Sequence, residues 1–222
     1  MKIVAINGSP KGKTGNTNVM VSSFLKGAQE SGAETVNIFL AEKEIKHCRG
    51  CHICWSKGPC QCVISDDMLG VISLIGGADV VVFATPVYFA NISGMLKVFM
   101  DRMTMIGSPH PPQGAKAEGG DSNSTGALTP KFVVISSCGY SDRSEFEVIS
   151  LWIKRVALKM RSEVIGEIYA TQGKYLTERA EELKLSISSY LSVLKAAGEE
   201  IATGMKLSET TQSLLEKGIA FK

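Results

Sequence analysis

The sequence lacks the long apolar runs and the one-sided charge that are typical of membrane proteins and nucleic-acid-binding proteins. No stretch of the 222 residues is apolar for long enough to span a bilayer. The 24 basic and 22 acidic side chains leave a net charge of only +2, and the basic residues are scattered. With 44% hydrophobic residues, the composition is not that of a disordered chain. We therefore expect one domain over 1–222, with no nucleic-acid and no membrane partner.

Signals for secretion, for nucleotide-binding loops and for hydrolysis are missing too. The apolar run after Met1 and Lys2 is only four residues long, so we expect no signal peptide and a cytoplasmic location. The loop after the first predicted strand has neither the P-loop pattern nor the Gly-x-Gly-x-x-Gly fingerprint. The 3 histidines form no triad with a marked nucleophile, so hydrolysis is not expected.

Short apolar segments alternate with helical segments along the chain. Apolar, β-branched runs predict five strands at 2–7, 35–40, 79–85, 131–137 and 164–170. Periodicity and capping residues predict helices at 16–32, 65–75, 93–103, 145–160 and 177–203. This alternation predicts an α/β three-layer sandwich with a five-stranded parallel sheet in the order 2-1-3-4-5. The segment 107–130, rich in Gly, Pro, Ser and Asn, interrupts it as a long loop.

Most of the cysteines are concentrated in the loop 46–64. This loop contains Cys48, Cys51, Cys54, Cys60 and Cys62. Close thiolates are the ligands that an iron–sulfur cluster requires, so a [4Fe-4S] cluster is the leading interpretation. Zinc stays open as an alternative because His47 and His52 lie alongside. Metal-free thiols or a disulfide stay open as well.

The first loop, residues 8–17, joins a strand to a helix with glycine, hydroxyl and amide residues. Its backbone N–H groups and the helix N-terminus can surround a phosphate, and Lys11 and Lys13 lie within it. We therefore interpret it as an anion site, although an ordinary strand–helix loop would use similar residues.

Two further loops follow the third and fourth predicted strands. The second loop, residues 85–94, places a proline turn and the aromatic pair Tyr88 and Phe89 where ligands bind in open α/β sheets. The third loop, residues 136–140, ends the next strand at the same edge. A planar ring can rest at this edge, and the alternative is that the two aromatic side chains belong to the core.

Together these motifs resemble a known family. The similarity lies in Asn-Gly-Ser-Pro-Lys from Asn7, in the Cys-x-x-Cys-x-x-Cys segment, in Thr-Pro-Val-Tyr at 85–88, and in Lys97 followed by Asp101 and Arg102. These motifs are similar to those of the flavodoxin-like NAD(P)H-dependent FMN reductases, and especially of their iron–sulfur flavoprotein branch. The resemblance implies a flavodoxin-like fold, bound FMN, and a homodimer or homotetramer. It also implies NAD(P)H or a related small-molecule electron donor, and a small-molecule acceptor.

The resemblance also implies roles for individual residues. It implies phosphate binding by Ser9, Lys11, Asn16, Thr17 and Asn18. It implies contact with the flavin ring for Pro86, Val87, Tyr88, Asn91, Cys138, Gly139 and Tyr140. We interpret Lys97, Asp101 and Arg102 as a structural or interfacial helix face.

The fourth cluster ligand depends on which landmark is used for counting. Counting forward from Cys54 favours Cys60, whereas counting back from the helix start at 66–68 places Cys62 at the family's position. The cap fixes how the chain enters the helix, and a turn at 58–59 can absorb two extra residues. We therefore predict Cys48, Cys51, Cys54 and Cys62 as ligands, with Cys60 as a neighbour or substitute.

The expected reaction is an electron relay. FMN accepts a hydride and releases electrons singly, so a neighbouring one-electron cluster converts two-electron chemistry into single steps. No side chain is expected to act as a catalytic acid or base. One alternative is a metal-free NAD(P)H:FMN or quinone reductase with structural cysteines. The other is a flavin-binding electron carrier without turnover.

Overall fold

One parallel sheet organises the chain, of which the computed structural model describes residues 1–106, 129–177 and 181–219. The strands are β1 (Lys2–Asn7), β2 (Glu34–Phe39), β3 (Val80–Pro86), β4 (Lys131–Ser137) and β5 (Val164–Ala170). All of them pair in parallel, in the order β2-β1-β3-β4-β5. The predicted strand order is confirmed, and it is the flavodoxin-like order.

The register of the sheet brings several strand ends to one edge. Asn7 pairs with Ala84, and Ser137 pairs with Pro86 on one side and Ala170 on the other. All seven residues of β3 are buried, as expected for a parallel strand that is covered on both faces. The loops that follow these strands therefore leave the sheet close together.

Helices cover both faces of the sheet. They are α1 (Asn16–Glu30), α2 (Ile53–Lys57), α3 (Met68–Ile75), α4 (Gly94–Arg102), α5 (Glu147–Lys159), α6 (Glu181–Gly204) and α7 (Glu209–Lys217). Buried side chains of α1, α6 and α7 pack on one face of the sheet, and those of α3, α4 and α5 pack on the other. The predicted three-layer α/β arrangement is therefore confirmed. In the part of the chain that is described, no helix is long and apolar enough to cross a bilayer.

The structure differs from the predicted elements in four places. The cysteine loop is not irregular throughout, because it contains the short helix α2. The helices predicted from 145 and from 177 are each preceded by a 3-10 turn, at Arg143–Phe146 and Gly173–Thr177, and α6 begins at Glu181. The helix α7 was not predicted. The predicted long loop lies outside the described residues except for its last two positions, 129 and 130.

The helix α7 is started by polar contacts that the sequence pattern did not reveal. The Ser208 hydroxyl accepts a hydrogen bond from the Thr211 N–H at 3.1 Å. The Glu200 carboxylate accepts from the Ser208 N–H at 2.8 Å and from the Thr211 hydroxyl at 2.7 Å. Glu200 lies on α6, so it joins the two helices and fixes where the second one begins.

The helices α1 and α6 cross at two glycines. A Cβ atom added to Gly27 would lie 1.9 Å from the Lys195 carbonyl oxygen. A Cβ atom on Gly198 would lie 1.9 Å from the Phe24 carbonyl oxygen. Both neighbours are backbone atoms of the opposite helix, so a side chain at either position forces the helices apart.

We expect Gly27→Ala to lower the free energy of unfolding by about 1–3 kcal/mol or more, because the core between the two helices becomes overpacked. The matched control is Gly70→Ala on α3, where the added Cβ would have no atom within 4 Å beyond its chain neighbours and the backbone of its own helix. That change should leave stability unchanged or raise it by up to about 1 kcal/mol through helix propensity. Urea unfolding measures both. Equal stabilities of the two variants would contradict the tight crossing.

Candidate functional site

The three predicted loops meet at the carboxyl edge of the sheet and are tied together there. The Gly8 N–H donates to the Ala84 carbonyl at 2.8 Å, and the Ser93 hydroxyl donates to the Gly8 carbonyl at 2.6 Å. The Val87 N–H donates to the Ser137 carbonyl at 2.9 Å. The first loop is thus joined to the second, and the second to the third.

The first loop is shaped by two glycines. Gly12 has a φ of +52°, a left-handed conformation that favours glycine. A Cβ atom on Gly15 would lie 2.7 Å from the Ser9 hydroxyl oxygen. Ser9 and Thr17 are buried beside this turn. The Asn18 N–H donates to the Gly15 carbonyl at 2.9 Å, and the first N–H groups of a helix have no acceptor within it. Hydroxyl and N–H donors therefore lie together at the start of α1.

A buried amide lies beneath the first loop. Asn7 Oδ1 accepts a hydrogen bond from the Ser9 N–H at 3.1 Å. Asn7 Nδ2 is buried and has no hydrogen-bond partner among the described residues. A buried donor without a partner is costly, so an acceptor beside it would be favoured.

The predicted amide and lysine side chains of this loop are engaged to different degrees. Asn16 Oδ1 accepts from the Thr177 hydroxyl at 2.8 Å, which leaves the Nδ2 donors of Asn16 for another partner. Asn18 Nδ2 donates to the Lys13 carbonyl at 2.9 Å, so Asn18 helps to close the loop. Lys11 is exposed and forms no ion pair with any described residue.

The second loop carries an exposed and strained tip. Tyr88 and Asn91 exchange backbone hydrogen bonds at 2.9 and 3.1 Å. Between them, Phe89 and Ala90 have φ values of +48° and +58°, which are uncommon for residues with a Cβ atom. Tyr88 is 45% exposed and Phe89 is completely exposed. The alternative that this aromatic pair belongs to the core is therefore wrong.

In the third loop, the backbone lies at this edge of the sheet, and the thiol of Cys138 points into the protein. Cys138 is buried, and its Sγ–H donates to the Tyr140 carbonyl at 3.3 Å. Burial raises the pKa of the Cys138 thiol. Gly139 and Tyr140 are exposed at the same edge. The thiol is thus protonated and internally engaged, and a ligand here would meet the backbone of these three residues and the Tyr140 ring.

Sequence reasoning missed a fourth loop, which follows β5. The Gln172 N–H donates to the Tyr140 carbonyl and the Gly173 N–H to the Cys138 carbonyl, both at 2.7 Å. A Cβ atom on Gly173 would lie 2.9 Å from the Ser137 Cβ. The signal was Gly173, three residues after the end of a predicted strand, at the edge where the other loops begin.

Four of the cysteines face a second space beside α4. A cavity of about 270 Å³ is lined by Cys48, Cys51, Cys54 and Cys62 among other residues. Cys60 is not part of its lining, and the Cys60 N–H donates to the Met105 carbonyl at 2.7 Å. Burial, and then the nearby thiols of Cys62, Cys48 and Cys51, raise the pKa of Cys54. The four predicted ligands therefore share one cavity.

The thiols share this cavity without converging on one point. Over residues 1–106, 129–177 and 181–219, no group of three or more His, Cys, Asp or Glu side chains is arranged to hold a metal ion. Backbone donors do point at two of the sulfurs. The Gly50 N–H lies 3.5 Å from Cys48 Sγ, and the Ile64 N–H lies 3.5 Å from Cys62 Sγ.

The three residues at the end of α4 that were interpreted as a structural or interfacial helix face form one exposed and one buried ion pair. Lys97 and Asp101 do form an exposed i,i+4 ion pair at 2.5 Å. Arg102, in contrast, is only 1% exposed and pairs with the equally buried Asp66 through both guanidinium Nη atoms. Burial alone would raise the pKa of Asp66, but the hydrogen bonds and charge of Arg102, with two backbone N–H donors, lower it. The pair is therefore ionised inside the protein.

The pair also fixes the chain on both sides of the cysteine loop. Asp66 accepts from the Lys46 N–H at 2.9 Å and from the Met68 N–H at 3.1 Å, at the start of α3. Arg102 Nη1 donates to the Lys46 carbonyl at 3.0 Å, and its Nη2 lies 3.6 Å from Cys62 Sγ. Sequence reasoning assigned Arg102 to a structural or interfacial helix face with Lys97 and Asp101, and it did not predict the burial of Arg102 or its pairing with Asp66, because charged residues are rarely buried.

Comparison with solved structures supports the fold. The structure superposes on an FMN-dependent NADH-azoreductase from Bacillus anthracis with a TM-score of 0.62 at 16% identity, covering 91% of this chain and 99% of that one. It superposes on an NAD(P)H:quinone oxidoreductase from Methanothermobacter marburgensis with a TM-score of 0.60 at 16% identity, covering 90% and 95%. At this identity the likeness concerns the fold alone.

Sequence comparison is more specific. An iron–sulfur flavoprotein of Archaeoglobus fulgidus is 40% identical over 107 residues, which are 48% of this chain and 47% of that protein. An iron–sulfur flavoprotein of Methanocaldococcus jannaschii is 40% identical over 102 residues, 46% and 51% of the two chains. The chain thus spans about half the length of the curated relatives it matches. The family model for NADPH-dependent FMN reductases matches residues 1–174. The family expected from the motifs is therefore confirmed: this chain belongs to the NADPH-dependent FMN reductases.

Proposed function

We propose that the protein is an FMN-dependent oxidoreductase that uses NAD(P)H or a related donor and relays electrons through an iron–sulfur cluster. The observation that carries this proposal is one cavity lined by four thiols, Cys48, Cys51, Cys54 and Cys62, in a chain of the FMN reductase family. We further propose that residues 1–222 form a single FMN-binding domain.

The first loop suits the phosphate of FMN. Its donors are the Ser9 and Thr17 hydroxyls, the leading N–H groups of α1 and the free Nδ2 of Asn16, with the exposed Lys11 nearby. The unpartnered Asn7 Nδ2 beneath the loop adds a donor. We propose that Ser9, Lys11, Asn16 and Thr17 hold the phosphate and that Asn18 contributes by closing the loop.

The second and third loops suit the flavin ring. We propose that the ring lies against Pro86, Val87, Tyr88, Asn91, Cys138, Gly139 and Tyr140. The loops carrying these residues are tied to one another by the Val87–Ser137 hydrogen bond, so they form one continuous wall. A nicotinamide or another small-molecule donor or acceptor would then dock on the exposed side, next to Tyr88 and Tyr140.

The cysteine cavity suits a [4Fe-4S] cluster by its donor set. Four thiols with N–H groups directed at two of the sulfurs are what such a cluster needs from a protein. When bound at these sites, FMN would supply hydride chemistry and the cluster would supply one-electron transfer. The chain itself positions these groups and contributes no acid or base. We also propose a homodimer or homotetramer in the cytoplasm, where cysteines that form no disulfide are kept reduced.

Anaerobic purification tests this proposal. The purified protein is expected to show flavin and cluster absorption bands, to contain iron and acid-labile sulfide, and to oxidise NAD(P)H with a dye as acceptor. FMN without iron or sulfide would leave the metal-free NAD(P)H:FMN or quinone reductase. Flavin and cluster without steady-state NAD(P)H oxidation would leave an electron carrier.

We expect Thr17→Val to weaken FMN binding about 10- to 100-fold, because a hydrogen bond to a charged group contributes about 1.5–3 kcal/mol. The substitution keeps the shape of a side chain that is 1% exposed. Thr203→Val on the exposed surface of α6 is the matched control. Flavin fluorescence titration measures both affinities, and an unchanged dissociation constant for Thr17→Val would refute the phosphate assignment.

We expect Cys62→Ser to lose most iron and acid-labile sulfide while Cys60→Ser retains them, because Cys62 lines the cavity and Cys60 does not. Iron and sulfide content per FMN measures the effect in anaerobically purified variants. The reverse result would assign the fourth ligand to Cys60. Full retention in both variants would indicate ligand substitution or a fourth ligand other than cysteine.

A further inference from the structure

Arg102 has more donors than its ion pair with Asp66 requires. Its Nη1 contacts Asp66 and the Lys46 carbonyl, and its Nη2 contacts Asp66 and lies 3.6 Å from Cys62 Sγ. Its Nε is buried and has no hydrogen-bond partner among the described residues. A charged group with an unsatisfied donor is expensive to bury, so charge balance with Asp66 does not account for this side chain.

Arg102 also lines the cysteine cavity, together with the four predicted ligands. Its guanidinium is held from the opposite side by Asp66, which is fixed in turn by the N–H groups of Lys46 and Met68. The planar group therefore has little freedom to turn away from Cys62.

We propose that Arg102 is a positioning residue of the iron–sulfur site: it holds Cys62 as the fourth ligand and donates N–H groups to sulfur, which raises the reduction potential of the cluster. This inference rests on the proposed function. It gives a reason for the choice of Cys62, because the guanidinium reaches that sulfur, whereas the backbone of Cys60 is held by Met105.

The two members of the buried pair should act on the potential in opposite directions. Reduction adds negative charge to the cluster, and N–H donors or a positive charge beside its sulfur ligands stabilise that state. Removing the Nη2 donor that Arg102 directs at Cys62 should therefore lower the reduction potential of the cluster. Removing the negative charge of Asp66 leaves the guanidinium charge uncompensated and should raise this potential. A loss of structural support alone would not give opposite signs.

The test uses the whole 222-residue chain, purified anaerobically and loaded with FMN. Arg102→Lys keeps a positive charge beside Asp66, but a single ammonium group cannot contact Asp66 and Cys62 together as the two Nη atoms of arginine do. It is preferred to Arg102→Met, which would leave the buried carboxylate of Asp66 without a counter-charge. Asp66→Asn is the partner variant. Lys26→Met is the control, because Lys26 is exposed on α1, which packs on the opposite face of the sheet from α4. Each is measured for iron and sulfide per FMN, for thermal unfolding and for the midpoint potential of the cluster by EPR-monitored titration.

We expect Arg102→Lys to shift the one-electron reduction equilibrium about tenfold toward the oxidised cluster, about 59 mV lower. Asp66→Asn should shift it toward the reduced cluster, and Lys26→Met should not move it. Loss of iron from a folded, flavin-loaded Arg102→Lys, with iron retained in Lys26→Met, would also support the positioning role.

Shifts of the same sign in Arg102→Lys and Asp66→Asn would overturn the inference. So would an unchanged potential and full iron content in Arg102→Lys. In both cases a loaded wild type leaves the proposed function intact. A wild type with FMN but without iron and sulfide would instead overturn the cluster part of the proposed function and this inference with it.

Discussion

The register of the parallel sheet is the constraint on which the candidate flavin site depends. Ser137 pairs with Pro86 on one side and with Ala170 on the other, so the loops after three strands start at the same height. The loop-to-loop hydrogen bonds from Gly8 and Val87 are then within reach. A shift of one residue in the register would move every side chain of a strand to the opposite face of the sheet and would separate these loops. The positions of the backbone therefore determine where the side chains of the site lie.

The sheet could be predicted because parallel strands buried on both faces leave a simple signal. The runs at 2–7, 131–137 and 164–170 are mostly apolar, and their bounds are those of the strands β1, β4 and β5 in the structure. Because connections between parallel strands are almost always right-handed, the alternation of strands and helices then leaves few possible strand orders. The loops of the candidate site could be located for the same reason, since they had to follow strands whose ends were visible in the sequence.

The remaining features could not be predicted because they depend on which segments meet in space. Arg102 is the last residue of a helix whose other charged residues, Lys97 and Asp101, are exposed, and its burial results from its contacts with the chain at 46 and 66. The start of α7 depends on Glu200, which lies on another helix. The tip at Phe89 is exposed because Tyr88 and Asn91 pair with each other, and composition alone does not distinguish that turn from a buried pair.

The helix α4 connects the two candidate sites within one chain. Before its first residue, Ser93 caps the helix by accepting from the Leu96 N–H and donates to the Gly8 carbonyl in the first loop. At its last residue, Arg102 contacts Cys62 and Asp66. Nine residues of α-helix are about 14 Å long, so the helix sets the spacing between the two contacts. Because its interior residues Leu96 and Phe99 are completely buried, the helix cannot slide without disrupting the core. The core packing that stabilises the fold therefore also holds the thiol cavity at a fixed place relative to the candidate flavin site.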